Sequence, residues 1–300
     1  MPVRHTSPPS ASPLEDFALG PDGTRLFYER SGDGPAVVLC DGIACDGFVW
    51  KYLRPALAAR HRVLHWNYRG HGRSGPPLDA SRVGIADHAR DLHAMLAHAG
   101  VTRATLVGHS MGTQVCLEAY RQHPDRVAGL VLVCGSYGRI TRTFHGTDAL
   151  VHWLPAVIDQ LERHPRIARA LWANGPADLM VWFARMFGEV DALRIRTEDL
   201  LPYFEHITTL DPVMFFTMLR AAGDHSAEDL LTAVRAPTLV VAAERDTFTP
   251  TRYAEQMARQ IPDAEILMVA GATHTAPIEQ PELISRRVVD FLERRVDPAG

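Results

Sequence analysis

The segment Gly108-His109-Ser110-Met111-Gly112 follows the apolar run Ala104-Thr105-Leu106-Val107 without a break, and a helical pattern starts at its end. This context constrains the fold more than the bare spacing of two glycines around a serine. It reads as a strand, a sharp turn with a serine at its apex, and a helix. A turn packed so tightly against both elements has no room for side chains two positions either side of the serine, where the glycines stand. The serine hydroxyl is thereby exposed above a helix N-terminus, with the backbone N–H of Met111 free to hold an oxyanion.

Around this turn the pattern alternates. Segments 17–19 and 25–29, joined by Gly20-Pro21-Asp22-Gly23, read as a hairpin. Short unbroken apolar runs then follow at 36–40, 62–66, 104–107, 127–134, 238–242 and 265–269, with amphipathic helical patterns at 48–60, 85–99, 111–123, 251–260 and 281–295. Strands that are apolar on both faces belong in a mostly parallel central sheet covered by helices on both sides, an α/β architecture. Between 133 and 237 the alternation stops for about a hundred residues, too long for a structureless loop. Aromatic and Met residues recur there at helical intervals, so a helical cap over 141–225 is expected after the sixth strand. The expected organisation is a disordered tail at 1–13, a core of 14–140 and 226–300, and the cap of 141–225.

Composition narrows the partners. With Lys+Arg at 31 and Asp+Glu at 35 in 300 residues, and neither sign forming a block, there is no basic stripe for nucleic acid. Lys51 is the only lysine, a bias with no functional weight. Cys40, Cys45, Cys116 and Cys134 lack the paired spacings of a zinc site and read as small core residues in a reducing compartment. The Pro- and Ser-rich start has no apolar signal core, and no run reaches the roughly twenty apolar residues of a membrane span. The expectation is a soluble, cytoplasmic protein, monomeric or homodimeric, that acts on a small molecule without cofactor or metal.

A serine hydroxyl is a poor nucleophile at neutral pH and needs a base within hydrogen-bond reach, itself oriented by a carboxylate. Asp246 follows the 238–242 strand and His274 the next one, so the chain order is Ser110, Asp246, His274. Glu244 is the rival acid and reads as a solvated loop carboxylate.

With these residues assembled, the chain resembles the α/β-hydrolase fold family over nearly all of its length from Leu14. The resemblance also covers Tyr68-Arg69-Gly70-His71-Gly72-Arg73-Ser74, which is similar to the family's RGxGxS turn. It implies a triad of Ser110 as nucleophile, His274 as base and Asp246 as orienting acid. The family's usual spacing to the turn-ending Pro250 favours Asp246 over Glu244, and Cys134-Gly135-Ser136-Tyr137 offers no carboxylate at the alternative acid position. By the same resemblance the oxyanion donors are the N–H groups of Met111 and Ile43. The chain departs from the family at Asp41, where the loop after the third strand usually carries His before Gly. A carboxylate facing the oxyanion would oppose its charge, so Asp41 is expected to point away and satisfy local backbone N–H groups; a proton relay is the alternative. His71 and His109 are expected to pack or to make local hydrogen bonds.

The resemblance implies acyl transfer to water. A serine excludes the haloalkane dehalogenase and epoxide hydrolase chemistry that starts from an aspartate nucleophile. The expected activity is hydrolysis of a carboxylic ester or lactone with an apolar portion. Rival readings are a carbon–carbon hydrolase of ring-cleavage products, a cofactor-free perhydrolase or haloperoxidase-like enzyme, and a non-enzyme ligand receptor. Asp41, Trp153, Trp182, Met214 and Phe215 are the expected pocket residues, although such a stripe also serves a cap's own core. Arg139, Arg142 and His145 would meet a carboxylate or form a solvated face.

Overall fold

The computed structural model describes residues 13–142, 149–175 and 195–297. An eight-stranded sheet runs in the order β1-β2-β4-β3-β5-β6-β7-β8. Strands β1 (Leu14–Leu19) and β2 (Arg25–Ser31) form the antiparallel hairpin, and β2 pairs antiparallel with β4 (Arg62–Trp66). The parallel body comprises β3 (Ala36–Cys40), β4, β5 (Ala104–His109), β6 (Val127–Val133), β7 (Thr238–Ala243) and β8 (Ala264–Val269).

Alternate residues of the central strands feed two separate cores, as the two-residue strand period requires. Val38, Leu64, Leu106, Leu130, Leu132 and Val240 pack on one face, and Val37, Leu39, Val63, Val107, Val131, Leu239 and Val241 on the other. The first face is covered by α2 (Ile85–His98), α3 (Met111–Gln122) and α8 (Thr251–Gln260), the second by α1 (Leu53–Ala58) and α10 (Pro281–Phe291). The remaining described helices are α4 (Ala149–Arg163), α5 (Pro165–Ala173), α6 (Thr197–Thr209), α7 (Pro212–Asp224) and the short α9 (Ala276–Glu279). Helices α4 to α7 all fall between β6 and β7 in the chain.

The helix expected at 48–60 is split into a 3-10 turn, Phe48–Trp50, and α1. Pro55 explains the split: its ring would collide with the carbonyl of Lys51 in a continuous helix, so α1 begins where Pro55 falls in its first turn. At the other end, α10 passes into a wider π-type turn, Leu292–Val296. The tail of 1–12, His145 and Trp182 lie outside the described residues.

Register brings the carboxyl ends of the strands together. Cys40 stands opposite Gly108, His109 opposite Val133, and Ala243 opposite Val269. The loops after β3, β5, β7 and β8 therefore emerge along one edge, where ligands of parallel sheets bind.

Candidate active site

Ser110 sits at the end of β5 with φ 55° and ψ −119° and opens α3. Such a conformation is strained for a non-glycine residue, and here the surroundings enforce it. A Cβ on Gly108 would lie 2.4 Å from the Gly112 carbonyl oxygen, and one on Gly112 would lie 2.1 Å from the Cys40 carbonyl oxygen. Strand, turn and neighbouring β3 thus close on each other at the two glycines.

Three loops converge on the serine. Ser110 Oγ is 2.9 Å from His274 Nε2, and His274 Nδ1 is 2.9 Å from Asp246 Oδ2. A carboxylate only accepts, so the proton sits on Nδ1, and the bare Nε2 accepts from the serine hydroxyl. The buried Asp246 carboxylate also accepts the N–H groups of Phe248 (2.9 Å) and Thr249 (2.8 Å) and the Thr249 hydroxyl (2.7 Å). Glu244 is exposed and accepts the Gly271 N–H at 2.8 Å, so the structure brings Asp246, and not Glu244, to His274.

His274 is gripped through its backbone neighbours. The buried Glu279 accepts the Thr273 N–H (2.8 Å), the Thr275 hydroxyl (2.7 Å) and the Thr273 hydroxyl. On the other side, His109 Nε2 donates to the His274 carbonyl at 3.0 Å. Burial, reinforced by the His274 imidazole beside it, lowers the His109 pKa to about 4, so it is a neutral ring. Its hydrogen bond is therefore not local but spans the site. Glu279 had no sequence signal beyond its position in a short proline-flanked helix after His274.

The loop after β3 passes directly against the elbow. A Cβ on Gly42 would stand 3.1 Å from Ser110 Cβ. This loop is pinned at several points. The Tyr68 hydroxyl donates to the Asp41 carbonyl (2.7 Å), and the Ala44 N–H donates to His71 Nε2 (3.2 Å). Burial holds His71 near pKa 4, leaving Nε2 bare while Nδ1 donates to the Arg69 carbonyl. Ile43 follows Gly42 on this loop, and Met111 opens α3, where backbone N–H groups lack intrahelical acceptors.

Asp41 is buried but does not line the cavity at Ser110. Its carboxylate accepts the Gly47 N–H (3.1 Å), the Trp50 indole N–H (2.7 Å) and His65 Nε2 (2.8 Å). Two of the three donors are side chains rather than the expected backbone groups. His65 Nδ1 lies 3.4 Å from Glu29. Burial would lower the His65 pKa, but the Asp41 and Glu29 carboxylates outweigh it and raise it to about 10, so His65 is an imidazolium.

A cavity of about 220 Å³ opens at Ser110 and His274, walled largely by Phe48, Leu200, Tyr203, Phe204 and Phe248. Of the pocket residues expected from sequence, none of the described ones walls this cavity. Trp153 is 70% exposed on α4. Met214 and Phe215 pack with Ala44, Ile207 and Leu210, and the Trp172 ring lies tilted against that of Phe215 with centroids 5.4 Å apart. Trp182 lies outside the described residues, and Arg139 is exposed. Part of the wall comes from α6, whose Leu200, Tyr203 and Phe204 fall, with Ile207, at the i, i+3, i+4, i+7 spacing of an apolar helix face. That spacing was the available signal.

Helix α6 is tied to the core beside the cavity. The Lys51 ammonium and the Tyr52 hydroxyl both donate to the buried Asp199 carboxylate, Tyr52 at 3.2 Å, and Arg196 donates to the Tyr52 hydroxyl at 2.8 Å. The four cysteines are buried and free. Among the described residues no His, Cys, Asp and Glu cluster could hold a metal, and no helix is long and apolar enough to cross a membrane.

Comparison with known proteins agrees with this architecture. Residues 35–173 match the α/β hydrolase fold family, and residues 217–299 match the family described as TAP-like protein. A putative carbamate hydrolase, RutD, of Variovorax paradoxus is 30% identical, over 90% of this chain and 96% of its own. The esterase RhEst1 from Rhodococcus sp. ECU1013 is 25% identical with a TM-score of 0.73, covering 94% of this chain and 99% of its own. Est816, described as an N-acyl homoserine lactone degrading enzyme, is 25% identical with a TM-score of 0.71, over 92% of this chain and all of its own. A sheet, an elbow and a near full-length relative all agree: the chain belongs to the α/β-hydrolase fold family.

Proposed function

We propose that the protein is a serine hydrolase that cleaves a small carboxylic ester or lactone through an acyl-enzyme. The observation that carries this reading is the unbroken hydrogen-bond chain Ser110–His274–Asp246, with 2.9 Å at each His274 nitrogen, on the wall of an apolar cavity. Ser110 Oγ attacks the carbonyl carbon as His274 Nε2 takes its proton, and Asp246 stabilises the imidazolium that results. The N–H groups of Met111 and Ile43 hold the oxyanion. Collapse of the tetrahedral intermediate expels the alcohol, which leaves with the proton from His274. Water, deprotonated by His274, then attacks the acyl carbon and frees Ser110.

Helices α4 to α7 act as the cap, and α6 supplies the wall that selects the substrate. A cavity of about 220 Å³ is below the range of ~300–1,000 Å³ usual for drug-sized ligands, which supports short acyl and alcohol groups. The likeness to RhEst1 and Est816 supports an ester or lactone. The RutD relative makes carbamates the natural comparison, because they present the same carbonyl to the same serine.

The test is a p-nitrophenyl ester series from acetate to long acyl chains, with small lactones and carbamates beside it. The expected result is turnover that peaks at a short acyl chain. Turnover of none of these by folded protein would overturn the reading.

A further inference from the structure

Polar side-chain atoms on the wall of the Ser110 cavity are almost all committed to protein partners. Ser110 and His274 bond each other, Thr275 Oγ1 donates to Glu279, Cys45 Sγ donates to the Ile43 carbonyl at 3.6 Å, and His109 Nε2 donates to the His274 carbonyl. Two side-chain atoms are left over. One is His109 Nδ1, buried and without a partner. Because Nε2 carries the proton that faces a carbonyl, Nδ1 is a bare acceptor. The other is the Tyr203 hydroxyl, which has no hydrogen-bond partner among the described residues.

Tyr203 is firmly placed. Its ring lies 5.1 Å from that of Phe48 and 5.1 Å from that of Phe204, on a helix that Asp199 ties to Lys51 and Tyr52. Burial pushes its pKa up, so the hydroxyl stays protonated through the neutral range and remains a donor. A phenylalanine would fill the same space without leaving a polar atom in an apolar wall. A ligand oxygen within reach would give this half-buried hydroxyl the acceptor that the protein does not supply.

We propose that Tyr203 determines specificity: its hydroxyl donates to a substrate oxygen other than the scissile carbonyl, so the preferred substrates carry an ether, carbonyl or ring oxygen within reach of α6. This rests on the ester-hydrolase reading above and narrows its substrate class. A purely hydrocarbon acyl or alcohol group fits the cavity but leaves Tyr203 unpaired. An oxygen-bearing analogue of the same shape pairs it.

The experiment compares wild type with Tyr203→Phe on two matched pairs of esters in which only one methylene becomes oxygen. On the acyl side these are p-nitrophenyl butyrate and p-nitrophenyl methoxyacetate. On the alcohol side they are butyl butyrate and 2-methoxyethyl butyrate. The readout is the ether-to-methylene ratio of kcat/KM for each enzyme, in which intrinsic ester reactivity and active fraction cancel on comparing the two. In one pair the ratio is expected to fall roughly three- to tenfold in Tyr203→Phe, the size of one neutral hydrogen bond. The pair that responds shows whether the oxygen lies on the acyl or the alcohol side. Turnover with both ratios unchanged would overturn the inference and leave the hydrolase reading standing. Absence of turnover by the wild type on every ester would overturn both.

Discussion

Asp41 and His65 are joined by a 2.8 Å hydrogen bond behind the loop that runs past Ser110. Both side chains are buried, and the pair is extended by Glu29 on the far side of the imidazole. Asp41 also fastens Gly47 and Trp50, and the Trp50 ring meets His109 edge-on with centroids 6.2 Å apart. The carboxylate thus braces the loop that carries Gly42 and Ile43. Asp41→Asn keeps an acceptor but leaves the imidazolium without its nearest counter-charge. Its expected effect is a loss of about 2 kcal/mol or more in stability and less than about tenfold in kcat. Denaturant unfolding and steady-state kinetics on one preparation check this; a larger kcat loss at unchanged stability would make Asp41 part of the chemistry.

The same pair gives the protein a pH dependence on its alkaline side. His65 has an ordinary pKa of 6.5, raised to about 10 in the folded protein, so the folded state binds a proton that the unfolded chain has released between those values. The stabilisation is complete below about pH 6.5 and is lost as pH rises through about 10. Wild-type stability, followed by urea unfolding from pH 6 to 10, is expected to decline over that window, and the decline is expected to flatten in His65→Gln. Equal slopes in the two proteins would contradict the assignment.

Glu279 holds both residues that flank His274. Its carboxylate accepts from three donors, and a neutral amide has a single oxygen to offer them. Glu279→Gln is expected to lower kcat roughly ten- to a hundredfold with little change in KM, because a base displaced by a fraction of an ångström loses its line to the serine. A kcat equal to wild type would show that the Thr273–Thr275 loop holds its shape without this carboxylate.

The Asp199 contacts predict the opposite kinetic signature. Helix α6 carries Leu200, Tyr203 and Phe204 on the cavity wall, and Asp199 receives the Lys51 ammonium and the Tyr52 hydroxyl. Asp199→Ala is expected to raise KM severalfold for short esters while kcat changes little, since the wall moves and the triad does not. A fall in kcat at constant KM would mean that α6 supports the triad instead.

What was legible in the sequence and what was not divides along sequence separation. The elbow lies within a few residues of chain, so its glycines and its serine could be read directly. Six of the eight strands stand out as apolar runs with local boundaries, and the first two as a hairpin marked by its turn Gly20-Pro21-Asp22-Gly23. Asp246 and His274 could be placed because each follows a strand of one parallel sheet, which gathers its loops at a common edge. The cavity wall could not be read in this way. Met214 and Phe215 on α7 and Tyr203 and Phe204 on α6 show the same apolar helical spacing, and only tertiary packing decides which stripe faces Ser110. Asp41 illustrates the same limit, since its partner His65 stands on the neighbouring strand and no local pattern joins them.

The central claim is that Ser110 is the nucleophile. Its most direct test is intact-mass and peptide mass spectrometry of wild type and Ser110→Ala after treatment with a small fluorophosphonate, with hydrolysis of p-nitrophenyl butyrate followed in parallel. The account predicts a single adduct on Ser110 in the wild type, with both the adduct and the hydrolysis lost in a folded Ser110→Ala. Ester turnover comparable to wild type in that variant would contradict it.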